Sequence, residues 1–294
     1  MTSGTKVWLD YDQEALDKAY DQAVYAANQD ILLKRFEVNS HLARSRMGSP
    51  QRHSYGPTRH EALDWYAADA PKAPIQLYIH GGAWRGGQAK RYGFLAEMFL
   101  AQGIHVVIPD FINVIEADGD LMPMAEQVIR SIRWVVENAA SFNGDPARIY
   151  LSAHSSGAHL AAVALTTDWE GRFGLPADLI KGAVLISGLY DLKPARLSSR
   201  RQYVRFTDEI EEQLSPQRHL DRLTTPLELV CGTHETPEFS RQTRAFAEAV
   251  RQSGRPVGFT EAEGYNHFEI LETLANPFGI AGAIALRQMG RRGA

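Results

Sequence analysis

The sequence holds a single cysteine, Cys231, among 294 residues. It has no partner for an internal disulfide, and a lone thiol suits a reducing compartment, so a cytoplasmic setting is expected. No apolar run approaches the roughly 20 residues of a membrane span. The opening MTSGTKVWLDYDQEA lacks the apolar core of a signal peptide, so neither membrane insertion nor export is expected. Neither sign of charge dominates: 31 Lys and Arg stand against 35 Asp and Glu, a net charge of -4. That balance gives no electrostatic footprint for nucleic acid. The sequence has no HExxH and no Cys/His cluster, and no metal site is expected. The stretch GGAWRGGQAK lacks the Gly-Lys-Ser/Thr of a phosphate loop, and no G-x-G-x-x-G dinucleotide fingerprint occurs there. What remains is an ordinary globular composition, 44% hydrophobic and 22% charged, in a chain long enough to bury a sizeable core.

The hydrophobic pattern is informative from residue 75 onward. IQLYIH (75–80), HVVIPD (105–110), RIYLSAH (148–154), GAVLISG (182–188), PLELVCG (226–232) and VGFTEAE (257–263) read as short strands. Between them lie helical runs, including the amphipathic MAEQVIRSIRWVVENAA (124–140) and EFSRQTRAFAEAVRQ (238–252). Continuous apolar strands alternating with helices predict an α/β fold, a mostly parallel sheet covered on both faces, in one domain spanning 1–294. Residues 1–60 read as an N-terminal helical arm. Within it, 11–36 form one or two helices with Leu16, Tyr20, Val24 and Ala27 at helical spacing, and 39–60, rich in Arg, Ser, Pro and Gly, form a loop or arm. The polar segment 189–224 reads either as a small lid over the carboxyl ends of the strands or as a solvated surface excursion.

YLSAHSSGAHLAAVAL (150–165) sets two serines between a strand and a helix. This fits a strand–turn–helix elbow, small-x-Ser-x-small, which presents a serine hydroxyl at the top of a sheet. The turn demands small residues two before and two after the nucleophile. Centring on Ser155 puts Ala153 and Gly157 there, whereas centring on Ser156 would force His154 into the turn. Ser155 is the candidate nucleophile, although a helix-capping serine would produce a similar pattern. The sequence His80-Gly81-Gly82-Ala83-Trp84 follows the strand 75–80. Its consecutive glycines suit backbone N–H donation to a developing oxyanion. Gly81, Gly82 and Ser156, each through its amide, are the expected donors.

A serine needs a base, and the base needs a carboxylate to hold its tautomer. His267, the last histidine, follows the last strand and is the candidate base. Glu235 in THETPE, after the strand 226–232, is the candidate acid. Thr236 and Pro237 read as the cap and first position of the next helix. Glu238 would then sit in the first turn, where a carboxylate complements the helix dipole; it remains the alternative acid. His234 reads as a rim or structural residue, and His154 and His159 do not share a helical face.

Taken together, HGGAW, AHSSGAHL, GTHETPEFSRQT and NHFEILE resemble the arylformamidase (kynurenine formamidase) branch of the α/β-hydrolases, near the hormone-sensitive-lipase-like esterases. The similarity runs from about Tyr55-Gly56 to the C-terminal helix. It implies a Ser155–Glu235–His267 triad, no cofactor, and hydrolysis of a small acyl group such as formyl from an aromatic amine or ester. It also places Trp84 near the acyl pocket, and His80, Phe111 and Tyr190 are further candidates for substrate contact. The sequence departs from many relatives in two places. FINVIEADGDLMP (111–123) replaces a Tyr-x-Leu-x-Pro-like turn expected to wall the pocket, and Glu235 stands where many members carry Asp. A carboxylesterase or carbamate hydrolase remains an alternative, and a non-catalytic ligand receptor a remote one. The expected partner is a small aromatic acyl substrate, and a homodimer is left open. Segment 189–224 carries Arg196, Arg200, Arg201, Arg205 and Arg218, one of which would suit a substrate carboxylate.

Overall fold

In the computed structural model, which describes residues 5–291, eight strands form one sheet in the order β1-β2-β4-β3-β5-β6-β7-β8. β1 (Gln51–Ser54) pairs antiparallel with β2 (Ala62–Tyr66), and β2 antiparallel with β4 (His105–Pro109). The rest is parallel: β3 (Ala73–Ile79) between β4 and β5 (Gly144–His154), then β6 (Ile180–Ile186), β7 (Leu227–His234) and β8 (Val257–Asn266). The first four and last three residues of the expected 1–294 domain lie outside the described residues.

The central strands are largely apolar because both of their faces are buried; Gln76 of β3 and Ser152 of β5 are buried polar exceptions and bond to each other at 2.9 Å. Along β3, Ile75, Leu77 and Ile79 point into one core and Tyr78 into the other. Along β6, Ala183 and Leu185 alternate in the same way with Val184 and Ile186. The first core is closed by the helices Met122–Asn138, Ser156–Leu165 and Pro237–Gln252. The second is closed by Gln29–Met47, Ala96–Ala101 and Ile280–Gln288. Helices cover both faces, as the alternation predicts.

The arm departs from its expected layout. It contains three helices, Gln13–Lys18, Gln22–Tyr25 and Gln29–Met47, so the expected loop from residue 39 is helical to Met47 and then enters β1. Leu16 and Tyr20 are buried, but Val24 is 54% exposed and Ala27 is also exposed. The break near Tyr20–Asp21 resets the helical phase, so one spacing could not describe the whole run. Phe36 anchors the long helix, with its ring stacked on Phe94 at 5.3 Å.

Segment 189–224 is no solvated excursion. Leu192 and Ala195 of its helix Leu192–Leu197, Ile210 of its helix Asp208–Gln213, and Val204 and Leu214 outside them are all buried in the first core. It follows the carboxyl end of β6, the edge where ligands gather in parallel sheets.

Replacing Phe36 with alanine should destabilise by about 3–5 kcal/mol, the usual cost of deleting a buried aromatic ring. We expect a lower denaturation midpoint and faster proteolysis within the arm. An unchanged cleavage rate would show that the arm does not depend on this contact.

Candidate active site

β5 ends at His154, and the helix Ser156–Leu165 begins two residues later. Ser155 makes the turn alone, with φ 59° and ψ -130°, a conformation that L-residues rarely adopt and that costs about 1–3 kcal/mol. The geometry explains the small neighbours. A Cβ on Gly157 would lie 2.3 Å from the carbonyl of Ile79 and 2.4 Å from that of His80. The helix can therefore approach β3 only with glycine there. The two serines then diverge in role. The Ser155 hydroxyl lies 2.8 Å from His267 Nε2, while the Ser156 hydroxyl accepts the Trp84 N–H at 3.2 Å.

His267 follows β8, and its Nδ1 lies 2.8 Å from Glu235 Oε2. In a neutral imidazole Nδ1–H donates to the carboxylate, and Nε2 is left to accept the Ser155 hydroxyl. The other carboxylate oxygen of Glu235 accepts the Thr236 N–H at 2.8 Å. The ring of His267 meets Phe239 and Phe268 edge-on, each at 5.1 Å. His154, the residue before the elbow serine, donates from Nε2 to the His267 carbonyl at 2.7 Å. Burial, with the neighbouring His267, holds the His154 imidazole well below its usual range, so it serves there as a neutral donor.

Thr236 precedes the helix Pro237–Gln252 and Pro237 is its first residue, but the Thr236 hydroxyl makes no capping bond. Glu238 does more than complement the helix dipole. Its side chain is fully buried and bonded through both oxygens to Arg241, at 2.7 and 2.8 Å. His234 ends β7 exposed to solvent.

The glycine loop runs alongside the elbow. A Cβ on Gly81 would lie 2.7 Å from the His154 carbonyl and 2.8 Å from Ser155 Cβ. Beyond it Ala83 and Trp84 both have positive φ, 53° and 62°. The loop is fastened by Trp84 Nε1–H to His159 Nδ1 at 3.2 Å, by Val114 N–H to the Trp84 carbonyl at 2.8 Å, and by Ala89 N–H to Asp110 at 2.6 Å. Burial lowers the His159 imidazole to about 4. His159 therefore stays neutral, accepting from Trp84 while donating to the Leu214 carbonyl at 2.7 Å.

Ser155, His267, His154, Gly81 and Gly82 line a cavity of about 930 Å³. The four residues expected to contact substrate do not line it. Trp84 is 1% exposed, packed between His159 and Phe206. His80 and Phe111 stack on each other at 4.4 Å, with His80 also stacked on Tyr92, and it is Tyr92 that reaches the cavity. Tyr190 is fully buried, its ring stacked on Phe246 at 4.1 Å. The loop 111–123 does not reach the cavity either. The wall comes instead from the arm, including Tyr20, Leu33 and Phe36, and from Arg200, Gln202 and Tyr203. The arm's periodicity places Tyr20 on a helical face but does not mark Leu33 or Phe36, and it gives no sign that any of them lines a cavity, because their neighbours in space are remote in sequence. Among the described residues, no group of three or more His, Cys, Asp or Glu side chains is placed to hold a metal ion, and no helix is long and apolar enough to cross a membrane.

The two glutamates predict opposite phenotypes. Glu238→Gln should cost roughly 1–3 kcal/mol in thermal unfolding, because it leaves the partly exposed Arg241 without its counter-charge. It should leave aryl-ester turnover within about threefold. Glu235→Gln should preserve the melting temperature more closely and lower kcat by roughly 10³- to 10⁴-fold. Similar losses of activity in both would remove the distinction.

Known proteins resemble this chain in both sequence and fold. A BD-FAE family model matches residues 63–181. The kynurenine formamidase of Danio rerio is 32% identical over 244 residues, covering 81% of this chain and 80% of that protein. The kynurenine formamidase of Salmo salar is 28% identical, covering 97% and 99%. A solved structure from Silicibacter sp. TM1040 superposes with a TM-score of 0.81 at 23% identity, covering 92% of this chain and 98% of that one. An esterase from Pyrobaculum calidifontis gives 0.68 at 18% identity, covering 89% and 92%. At those identities the two structures speak to the fold alone. The sequence relatives carry the assignment: this chain is a hydrolase and belongs to the arylformamidase-like branch of the α/β-hydrolases, the family of the kynurenine formamidases.

Proposed function

We propose that the protein is a serine hydrolase that removes a small acyl group, such as formyl, from an aromatic amine. The observation that carries this is the unbroken hydrogen-bonded chain from Ser155 through His267 to Glu235, opening on a cavity. The likeness to kynurenine formamidases supports the choice of an aromatic amide.

The chemistry follows from the atoms present. Ser155 Oγ attacks the acyl carbon as its proton passes to His267 Nε2. The imidazolium so formed is held by Glu235, which keeps its own charge throughout. Negative charge develops on the acyl oxygen, and the N–H groups of Gly81, Gly82 and Ser156 receive it. Gly81 and Gly82 donate to no other protein group among the described residues, and Ser156 begins a helix whose first N–H groups are unfilled. Such donors are worth roughly 3–4 kcal/mol each, because they need no reorientation when the charge appears. Protonated His267 then passes its proton to the amine nitrogen, and the C–N bond breaks. Water, deprotonated by His267, cleaves the acyl-enzyme, releasing the acid and restoring Ser155.

A cytoplasmic setting belongs to the same proposal. It is supported by the single cysteine, whose buried thiol is pushed up to about 12 and is unsuited to reaction.

A substrate panel tests the proposal. Formylated aromatic amines should exceed short aryl esters and aryl carbamates in kcat/KM. Faster turnover of esters, with formyl-arylamines at background, would instead make the protein a carboxylesterase, and preference for carbamates a carbamate hydrolase.

A further inference from the structure

The motif NHFEILE contains the base, yet only His267 and Phe268 of it line the cavity. Around them Asn266 and Glu269 make the reciprocal bonds of a capping box. Asn266 Oδ1 accepts the N–H groups of Phe268 and Glu269, at 3.0 and 3.1 Å, and Glu269 Oε2 accepts the Asn266 N–H at 3.1 Å. His267 is thus enclosed in a turn whose two flanking side chains each have one polar atom left over, Asn266 Nδ2 and Glu269 Oε1. Both atoms go to the same residue of the arm. Asn266 Nδ2 donates to Asn28 Oδ1 at 2.8 Å, and Asn28 Nδ2 donates to Glu269 Oε1 at 2.8 Å.

Donor and acceptor roles are fixed throughout this network. A carboxylate only accepts and a backbone N–H only donates, so neither amide can be turned around without losing at least two bonds. Asn28 gives up another task to be there. It stands at the N-cap of the helix Gln29–Met47, where asparagine is among the favoured residues, but its side chain makes no capping bond. The same helix meets the far end of the motif through Arg35, which bonds both carboxylate oxygens of Glu272. None of Asn28, Asn266 and Glu269 lines the cavity, so an effect on the reaction must pass through the residues they hold.

We infer that Asn28 is a positioning residue for the base: by completing the capping box it fixes the backbone that aims His267 Nε2 at Ser155. This rests on the proposed role of His267 in the hydrolysis. The arm is then part of the catalytic apparatus as well as of the cavity wall, joined to the base by one amide across 238 residues of sequence. A misplacement of about 1 Å at a reacting group costs up to roughly 100-fold in rate.

Three variants test this: Asn28→Ala, Asn28→Asp, and Asn28→Asp combined with Glu269→Gln. The alanine removes both bonds. The aspartate suits the N-cap of the arm helix as well as asparagine does, but it sets a carboxylate against Glu269. In the double variant the introduced amide donates to the introduced carboxylate, while its oxygen still accepts the Asn266 N–H, so both bonds return with one direction reversed. Each single variant should lower kcat by roughly 10- to 100-fold on the best substrate of the panel, with KM within about threefold. The double variant should recover most of that loss, the signature of a coupled pair.

Two readings need no substrate: the rate at which a fluorophosphonate labels Ser155, and the far-downfield proton resonance of His267 Nδ1–H against Glu235. In the single variants labelling should slow by the same factor and the resonance should broaden or move, and both should return in the double variant. They decide the matter even if no formyl-arylamine is hydrolysed, a result that would sink the proposed function alone. Melting temperatures report folding, and the aspartate pair decides if the alanine variant does not fold. A raised KM with kcat, labelling and the resonance unchanged would make Asn28 a fastener of the cavity wall and overturn the inference. Loss of kcat with no recovery in the double variant, or a folded wild type that is not labelled, would overturn it equally.

Discussion

The imidazole of His267 is suspended between two groups that come from different strands, Glu235 on one side and Ser155 on the other, each at 2.8 Å. Neither contact is useful alone. Without the carboxylate the ring has no fixed tautomer, and without the hydroxyl it has no proton to take. Three loops must therefore keep their separation to a few tenths of an ångström, and much of the molecule can be understood as the means of doing so. The loops leave the carboxyl ends of β5, β7 and β8 in a parallel sheet whose strands are locked from both faces. His154 ties the first loop to the third by bonding the His267 carbonyl, and the Thr236 N–H holds the second by bonding Glu235.

Strain is concentrated at the same edge. Ser155, Ala83, Trp84 and Ser187 all adopt positive φ, and all belong to loops that follow strands. Three of the four are held by bonds from elsewhere: Ser155 N–H to the Ile186 carbonyl at 2.9 Å, Trp84 N–H to the Ser156 hydroxyl, and Ser187 N–H to the Val230 carbonyl at 2.8 Å. The elbow thus depends on the glycine loop and on the neighbouring strand.

Most of this was legible in the sequence where a local rule governed it. The parallel strands announce themselves because burial on both faces requires continuous apolar runs. Ser155 is distinguishable from Ser156 because the turn tolerates only small flanks, and Glu235 from Glu238 because one precedes the helix and the other enters it. Legibility failed where the determining partner lies far along the chain. β1 and β2 are short, and β1 is largely exposed, so no apolar run marks them. The arm's inner residues, Tyr20 and Phe36 among them, are set by packing against Phe239 and Phe94. Trp84, His80 and Phe111 are close to the site in sequence, but their side chains brace the glycine loop from behind.

The central claim is that the hydroxyl aligned on His267 is the reactive one. Treating the protein with a fluorophosphonate and locating the adduct by peptide mass spectrometry tests this directly. The account predicts a single phosphonylated residue, Ser155, with labelling suppressed in Glu235→Gln. An adduct on Ser156, or no adduct in a folded and soluble sample, would contradict it.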